Sequence, residues 1–297
     1  MQNLKKRLLG ELEAESISVI RDSLAMAENP VLLYSIGKDS NVLLHLLRKS
    51  FFPLNVSIPL LHIDTGWKFK EMIKFKQKVI KKYKLNLTTY TNQDAKNLSP
   101  QKDKNYTHYA KTVALRQALD KKNFDIIFGG ARRDEEVSRS KERIISIREH
   151  NHSWNPKEQR PEIWRLFNYK KKNDQSFRVF PLSNWTELDI WEYIKNEQIE
   201  IPNLYFAQKR PVTILKDQII MIDDERLNIE KKKILYENIR FRTLGCYPLT
   251  AATKSKANNI DLIIKELKKE KNSERVGRLI DNDSFNSMET KKKEGYF

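Results

Sequence analysis

Val31, Leu32, Leu33 and Tyr34 form a short run without polar alternation, followed by a polar knot and then by Leu43, Leu44, Leu46 and Leu47 at helical spacing. Such a run suits a strand buried on both faces, and the change of period marks a strand-to-helix turn at the carboxyl end of a parallel strand. The rhythm repeats. "IPLLHID" predicts a second strand before the helical "FKEMIKFKQKVIKKY", "LNLTTYT" a third, and Thr107 to Leu119 a helix with Val113, Leu115 and Leu119 facing inward. "FDIIFGG" predicts a fourth strand ending on two glycines. Phe177 to Phe180 is a fifth, followed by a helix capped at Thr186 with Asp189 three residues on. At the amino terminus, Leu4, Leu8, Leu12, Ile17, Ile20 and Leu24 predict an amphipathic helix packed on the rest.

Strands alternating with helices predict an α/β fold on a mostly parallel, doubly wound sheet. Between His150 and Lys172 the chain is polar, basic and broken by proline, which reads as a long excursion over the sheet, of the kind that forms lids and binding loops. Beyond Ile201 the alternation lapses. The expected division is therefore a main unit over residues 1–200 and a carboxyl-terminal extension over 201–297 that supplies substrate and partner contacts.

Composition narrows the class. No stretch approaches the length of a membrane span, and the opening "MQNLKKRLLGELEAES" mixes charge with apolar residues instead of forming a signal sequence, so a cytoplasmic protein without a membrane partner is expected. The single cysteine, Cys246, excludes an internal disulfide framework and a multi-cysteine zinc site, and suits a reducing cytoplasm. Of the histidines, only the His150 and His152 pair has even a weak metal spacing. Net charge is +17. Much of that excess is lysine on solvated helix faces such as "KFKQKVIKKYK" and "KELKKEK", with no arginine-aromatic ribbon, so no specific nucleic-acid partner is expected.

The knot "SIGKDS", residues 35–40, is suited to an anion. Gly37 lets the backbone turn, helix-terminal N–H groups face the ligand, and Ser35, Lys38 and Ser40 add donors. The familiar ATP loop G-x-x-x-x-G-K-[ST] is absent, and a plain helix-capping turn fits the same six residues. Asp64 is expected at the same sheet edge, where a carboxylate orients a metal, a ribose hydroxyl or an adenine amine, or simply caps a turn. The second dense segment is "GGARRDEEVSRSKER", residues 129–143. Its Arg132, Arg133, Arg139 and Arg143 offer planar forks for tetrahedral oxyanions, while Asp134, Glu135, Glu136 and Glu142 are near enough to make a salt network instead. Arg240 and Arg242, and Arg275 and Arg278, form two further pairs. Cys246 has no C-x-x-C partner and no adjacent histidine.

"SIGKDSNVLLHLL", "LLHIDTGWKFKEM", "FGGARRDEEVSRSKERI", "FRVFPLSNWTELDIW", "IRFRTLGCYPLT", "SERVGRLIDND" and "METKKKEGYF" together are far more specific than any one of them. Over about Leu12 to Phe297 the chain closely resembles the sulfate adenylyltransferase subunit 2 family, the small subunits of bacterial two-component ATP sulfurylases. That family lies within the ATP pyrophosphatase superfamily, which also holds the phosphoadenylyl-sulfate reductases. The resemblance implies an adenine-nucleotide α-hydrolase-like sheet in residues 1–200 and cleavage of ATP between its α and β phosphates by sulfate, the first step of sulfate assimilation. On that basis Ser35, Gly37, Lys38, Asp39 and Ser40 are expected on the β and γ phosphates, with Asp39 also a magnesium ligand, and Asp64 on the nucleotide. Arg132 and Arg133, with Arg240 and Arg242, are expected around sulfate. Lys38, Arg132 and Arg133 are the expected catalytic residues, Lys38 and Asp39 lying in a surface turn. A second NTPase motif is absent, so the resemblance implies a GTP-hydrolysing large subunit as partner, with Tyr205, Phe206, Tyr247, Phe285, Tyr296 and Phe297 as candidate interface anchors. Reductases of the superfamily need an E-C-G-[LI]-H cysteine, and its thiolases commonly carry C-x-x-C pairs. Neither motif occurs.

Overall fold

Six short strands make the main sheet: β1 (Pro30–Leu33), β2 (Leu60–Ile63), β3 (Leu87–Tyr90), β4 (Ile126–Phe128), β5 (Ile145–Arg148) and β6 (Ser176–Val179). Their spatial order is β3-β2-β1-β4-β6-β5. The computed structural model describes residues 2–55, 58–215, 217–227, 229–270 and 294–295. Every strand pair is parallel except β5 with β6.

Alternate residues of each strand serve different cores, which is why the strands read as unbroken apolar runs. Leu32, Leu60, Phe128, Phe177 and Val179 face one way. That face is covered by α1 (Gln2–Ala25), α2 (Lys38–Ser50) and α3 (Lys70–Tyr83). Val31, Leu61 and Ile127 face the other way, against Leu115, Ala118 and Leu119 of α4 (Ala114–Lys122). Beyond the one-turn α5 (Val137–Ser140), α6 (Glu187–Asn196) returns to the first face and buries Ile190, Trp191 and Ile194. Helices thus cover both faces of a mostly parallel sheet, as the sequence predicts. In α6, Thr186 and Asp189 form the predicted reciprocal cap.

Three features depart from the expectation. The predicted helix from Thr107 opens as a π-helix over His108–Val113 before α4 begins, and Val113 is only half-buried. In α1, Leu4 and Leu8 are exposed, and Leu9, Leu12, Val19 and Ile20 form the buried stripe. The antiparallel strand β5 was not anticipated. Its Ile145 and Ile147 enter the large core while Ser146 and Arg148 are buried on the α4 face, where Glu142 binds both.

The extension builds a sheet of its own. β7 (Gln208–Leu215), β8 (Gln218–Met221), β9 (Leu235–Arg240) and β10 (Thr253–Lys254) pair antiparallel in the order β10-β9-β7-β8, beside α7 (Ile260–Leu267). Val212, Ile220, Ile239 and Phe241 join the large core, and the Phe69 ring lies 5.0 Å from Phe241 and 5.5 Å from Tyr247. Tyr205 and Tyr247 are consequently core residues, not surface anchors, and Phe206 is half-buried. Phe285, Tyr296, Phe297, Arg275 and Arg278 lie outside the described residues. Among the described residues no helix is long and apolar enough to cross a membrane.

Asp125 knits the start of three central strands. Its carboxylate accepts the N–H groups of Glu28 (3.0 Å) and Asn29 (2.9 Å), and its carbonyl accepts the N–H of Phe177 (2.8 Å). Asp125→Ala leaves two donors without their acceptor, so the unfolding free energy in urea should fall by about 1–3 kcal/mol. A loss below about 0.5 kcal/mol would show that water replaces the carboxylate.

Candidate active site

β1 is followed in space by β2 on one side and β4 on the other, so the crevice at its carboxyl end is the topological switch point of the sheet. A pocket of about 290 Å³ opens there. Its wall draws on four adjacent strands: Leu61 and Ile63 from β2, Leu33 from β1, Gly129 at the end of β4, and Arg178 from β6.

The loop between β1 and α2 supplies Ser35, Gly37, Asp39 and Ser40 to this wall. Gly37 is the N-cap of α2 and has no side chain of its own to accept from the N–H groups of the first turn. Gly37 does not make the turn. Its φ is −69°, whereas Ile36 has φ 72°, a left-handed conformation that for a β-branched residue stores about 1–3 kcal/mol. The Ile36 side chain is fully buried, which offsets that cost. Asn41 braces the loop by donating to the carbonyls of Ile36 (3.0 Å) and Gly37 (2.8 Å) while accepting from the Tyr34 hydroxyl (2.7 Å). Two more bonds hold it: Lys38 N–H donates to the Tyr205 hydroxyl (2.8 Å), and the Ser40 hydroxyl donates to the Gly37 carbonyl (2.9 Å).

Asp39 joins the loop to the arginine segment. One carboxylate oxygen accepts from Arg132 Nε at 2.7 Å and the other from Lys38 Nζ at 3.2 Å. Both cations are essentially inaccessible, while Asp39 keeps 20 % of its side chain exposed. Lys38 therefore stands behind the wall, not in a surface turn. Gly130 permits the approach, since a Cβ there would come within 3.3 Å of the Asp39 backbone.

Of the remaining arginine candidates, Arg133, Arg139, Arg240 and Arg242 are held in ion pairs. Arg133 turns the opposite way from Arg132, to Asn184 (2.8 Å), Glu162 (3.0 Å) and the Glu142 carbonyl (3.1 Å). Arg139, in the pocket wall, pairs with Glu135 (2.5 Å) and Glu136 (3.1 Å). Arg143 is exposed. Arg240 pairs with Glu266 (2.9 Å) and Arg242 with Glu187 (2.6 Å), although the Arg242 carbonyl lies 3.5 Å from Lys38 Nζ. Asp64 closes its own turn by accepting the Gly66 N–H (2.9 Å). Lys68, Lys111, His62 and Arg178 line the pocket without having been singled out from the sequence.

His62 donates through Nδ1 to the Tyr34 carbonyl (2.8 Å), and burial, reinforced by Lys68, pushes its pKa down to about 3, so the ring is neutral. Cys246 lies beneath the pocket against the Thr65 hydroxyl (3.2 Å), where it is wholly buried. Burial raises its pKa, but Lys111 and Lys68, together with hydrogen bonds to Thr65 and Tyr106, more than offset this and leave it below the ordinary value. Lys68 acts on both groups. Among the described residues no group of three or more acidic, histidine or cysteine side chains is placed to hold a metal ion.

A crevice at the sheet's switch point, with a helix amino terminus beside Lys68, Lys111, Arg139 and Arg178, defines an α/β protein with a site suited to polyanions. Residues 29–252 match the phosphoadenosine phosphosulfate reductase domain family. The chain is 55% identical over 294 residues to sulfate adenylyltransferase subunit 2 of Shewanella oneidensis, covering 97% of each. It is 56% identical over 295 residues to that of Sulfurimonas denitrificans, again covering 97% of each. The chain belongs to the sulfate adenylyltransferase subunit 2 family. Its fold is shared with the FMN adenylyltransferase of Candida glabrata, solved with FMN and the ATP analogue AMPCPP, at a TM-score of 0.51 and 18% identity over 92% of this chain and 90% of that one.

The neutral His62 makes acid stability testable. Its folded pKa of about 3 lies below the ordinary 6.5, so the unfolded chain binds the extra proton between those values and stability is lost as pH falls through that window. The slope is at most about 1.4 kcal/mol per pH unit. His62→Asn retains a donor for the Tyr34 carbonyl and removes the titration, so its unfolding free energy should fall less steeply below pH 6.5 than the wild type's. An equal slope in the two proteins would assign the acid limb to His45 or His152, whose pKa values burial also lowers.

Proposed function

We propose that this chain is the adenylyl-transferring subunit of a sulfate adenylyltransferase, converting ATP and sulfate to adenosine 5'-phosphosulfate and pyrophosphate. The observation that carries this reading is the α2 amino terminus sharing one pocket wall with Lys68, Lys111 and Arg139. A sulfate oxygen forms the new bond to the α-phosphorus, and the bond to the bridging oxygen breaks with its electron pair leaving on pyrophosphate. Sulfate carries no proton at neutral pH, so no general base is required. The protein's part is to bring two polyanions together and to stabilise charge moving onto the leaving group.

In this reading the α2 N–H groups, with Ser35, Gly37 and Ser40, hold the β and γ phosphates. Lys38 and Arg132 act from behind Asp39, supplying positive potential without direct exposure. Leu33, Leu61 and Ile63 offer an apolar bed for the base, and Asp64 sits at the nucleotide side. Asp39 would suit a magnesium ion that arrives on the nucleotide: it is a part-exposed carboxylate in the wall, fitting for a cation that takes most of its ligands from phosphates and water. Such an ion neutralises charge on the departing pyrophosphate. Arg133 and Arg240 take no part in this assignment, because each is committed to a carboxylate away from the wall.

The relatives' designation as a subunit implies a partner chain. The mixed anhydride is strongly uphill from sulfate, so we assign the partner a GTP-hydrolysing role and place the protein in the cytoplasm. Residues 1–200 carry the nucleotide chemistry and 201–297 the partner contacts, through surfaces other than the buried Tyr205 and Tyr247.

Lys38→Met, which keeps most of the buried volume, should lower sulfate-dependent pyrophosphate release by about 100- to 1000-fold. Near-normal turnover would remove the loop from the mechanism. Arg132→Lys keeps the charge but cannot span Asp39 and Asp134 at once, so it should lower turnover more than Arg143→Lys on the surface does. Full phosphosulfate synthesis by the isolated chain without GTP would dismiss the GTPase partner.

A further inference from the structure

Arg178 differs from every other arginine discussed above. It projects from the centre of β6 onto the α4 face, in register with Ile127 of β4 and Ser146 of β5. It is 1% exposed and lines the pocket, yet Nε, Nη1 and Nη2 all lack a hydrogen-bond partner. Arg132, Arg133, Arg139, Arg240 and Arg242 each have a carboxylate within ion-pair distance. The acidic group that acts on Arg178 is Glu142, and that carboxylate is bonded to Arg148 (3.2 and 3.4 Å) and to the Ser146 hydroxyl. Two buried guanidinium groups thus share one glutamate. Burial first, and Arg148 second, depress the Arg178 pKa to about 9, with Glu142 countering only in part. An uncompensated buried charge is among the costliest features a core can carry, and here it adjoins a pocket whose substrates are anions.

Position along the sheet selects between those anions. The wall runs β2, β1, β4, β6, with apolar residues on β2 and β1, the phosphate loop at the β1 end, and Arg178 on β6. A nucleotide whose base lies toward β2 and whose phosphates lie on the loop leaves the β6 end for a second oxyanion. We propose that Arg178 is the sulfate-binding residue, with the substrate dianion as its missing counter-charge. This rests on the adenylyltransferase reading above. The guanidinium presents two parallel N–H groups to a tetrahedral oxyanion, which Lys38 and Lys111 cannot do.

The test uses the full chain with AMPCPP, whose α–β bridge cannot be cleaved, and labelled sulfate. Arg178→Met should lose sulfate affinity by about 10- to 100-fold, the worth of a charge-assisted hydrogen bond, while holding AMPCPP within about twofold of wild type. Arg178→Lys should recover part of the sulfate affinity. Without any anion, Arg178→Met should melt above the wild type, because the buried charge is gone. Equal sulfate binding by the wild type and a folded Arg178→Met would overturn the proposal. So would loss of AMPCPP with sulfate retained, which would place Arg178 on the nucleotide. A wild type that binds sulfate through Arg178 but makes no ATP from phosphosulfate and pyrophosphate, the downhill direction that needs no GTP, would refute the adenylyltransferase reading alone.

Discussion

Asp39 is the contact on which the site depends. Lys38 and Arg132 are both buried beside the positive end of α2, and the one carboxylate between them bonds to each. Two unit charges 4 Å apart interact by about 4 kcal/mol at an effective dielectric of 20, so two cations so confined would repel strongly without a shared anion. The same pair of bonds fixes geometry. Asp39 belongs to the turn after β1 and Arg132 to the segment after β4, so their 2.7 Å bond closes the crevice across the switch point.

The turn that carries Asp39 is held from both sides. Asn41 satisfies the carbonyls of Ile36 and Gly37 from within α2, and Tyr205, at the approach to the second sheet, reaches the Lys38 N–H. The second sheet enters the main core through Val212, Ile239 and Phe241, so the extension supports the loop directly. This explains how a left-handed Ile36 persists: its side chain is locked in the core and its carbonyl is bonded, so relaxing φ would forfeit both.

The sequence made the sheet readable because burial on both faces leaves an unmistakable apolar run, as in β1, β2 and β4. β5 escaped because Ile-Ser-Ile-Arg is the pattern of a half-exposed edge, whereas here the polar face is buried and neutralised by Glu142. The short antiparallel strands of the extension carry no such run. The loop was visible as a polar knot between two periodicities, but the residue bearing the turn was not, since glycine is the ordinary occupant of positive φ and Ile36 bears it only because the core holds it. Arg132 and Arg133 are adjacent, and only three-dimensional packing sends one to Asp39 and the other to Glu162. Arg178 left a trace, a charge in the middle of a doubly buried strand. Periodicity alone assigns such a residue to the strand and asks nothing further of it.

These features share one physical logic. Transfer of an adenylyl group to sulfate asks for no proton relay and no nucleophilic side chain, so the usual catalytic constellations have nothing to contribute. It asks for positive potential that is already in place, because charges that had to be assembled during the reaction would cost reorganisation energy at the moment of transfer. Lys38, Arg132 and Arg178 are held in place by burial, with Asp39 bonded to the first two. The overall charge of +17 is a different matter. It lies largely on exposed lysines screened within a Debye length of about 8–10 Å, and only the few buried cations at the switch point act at full strength.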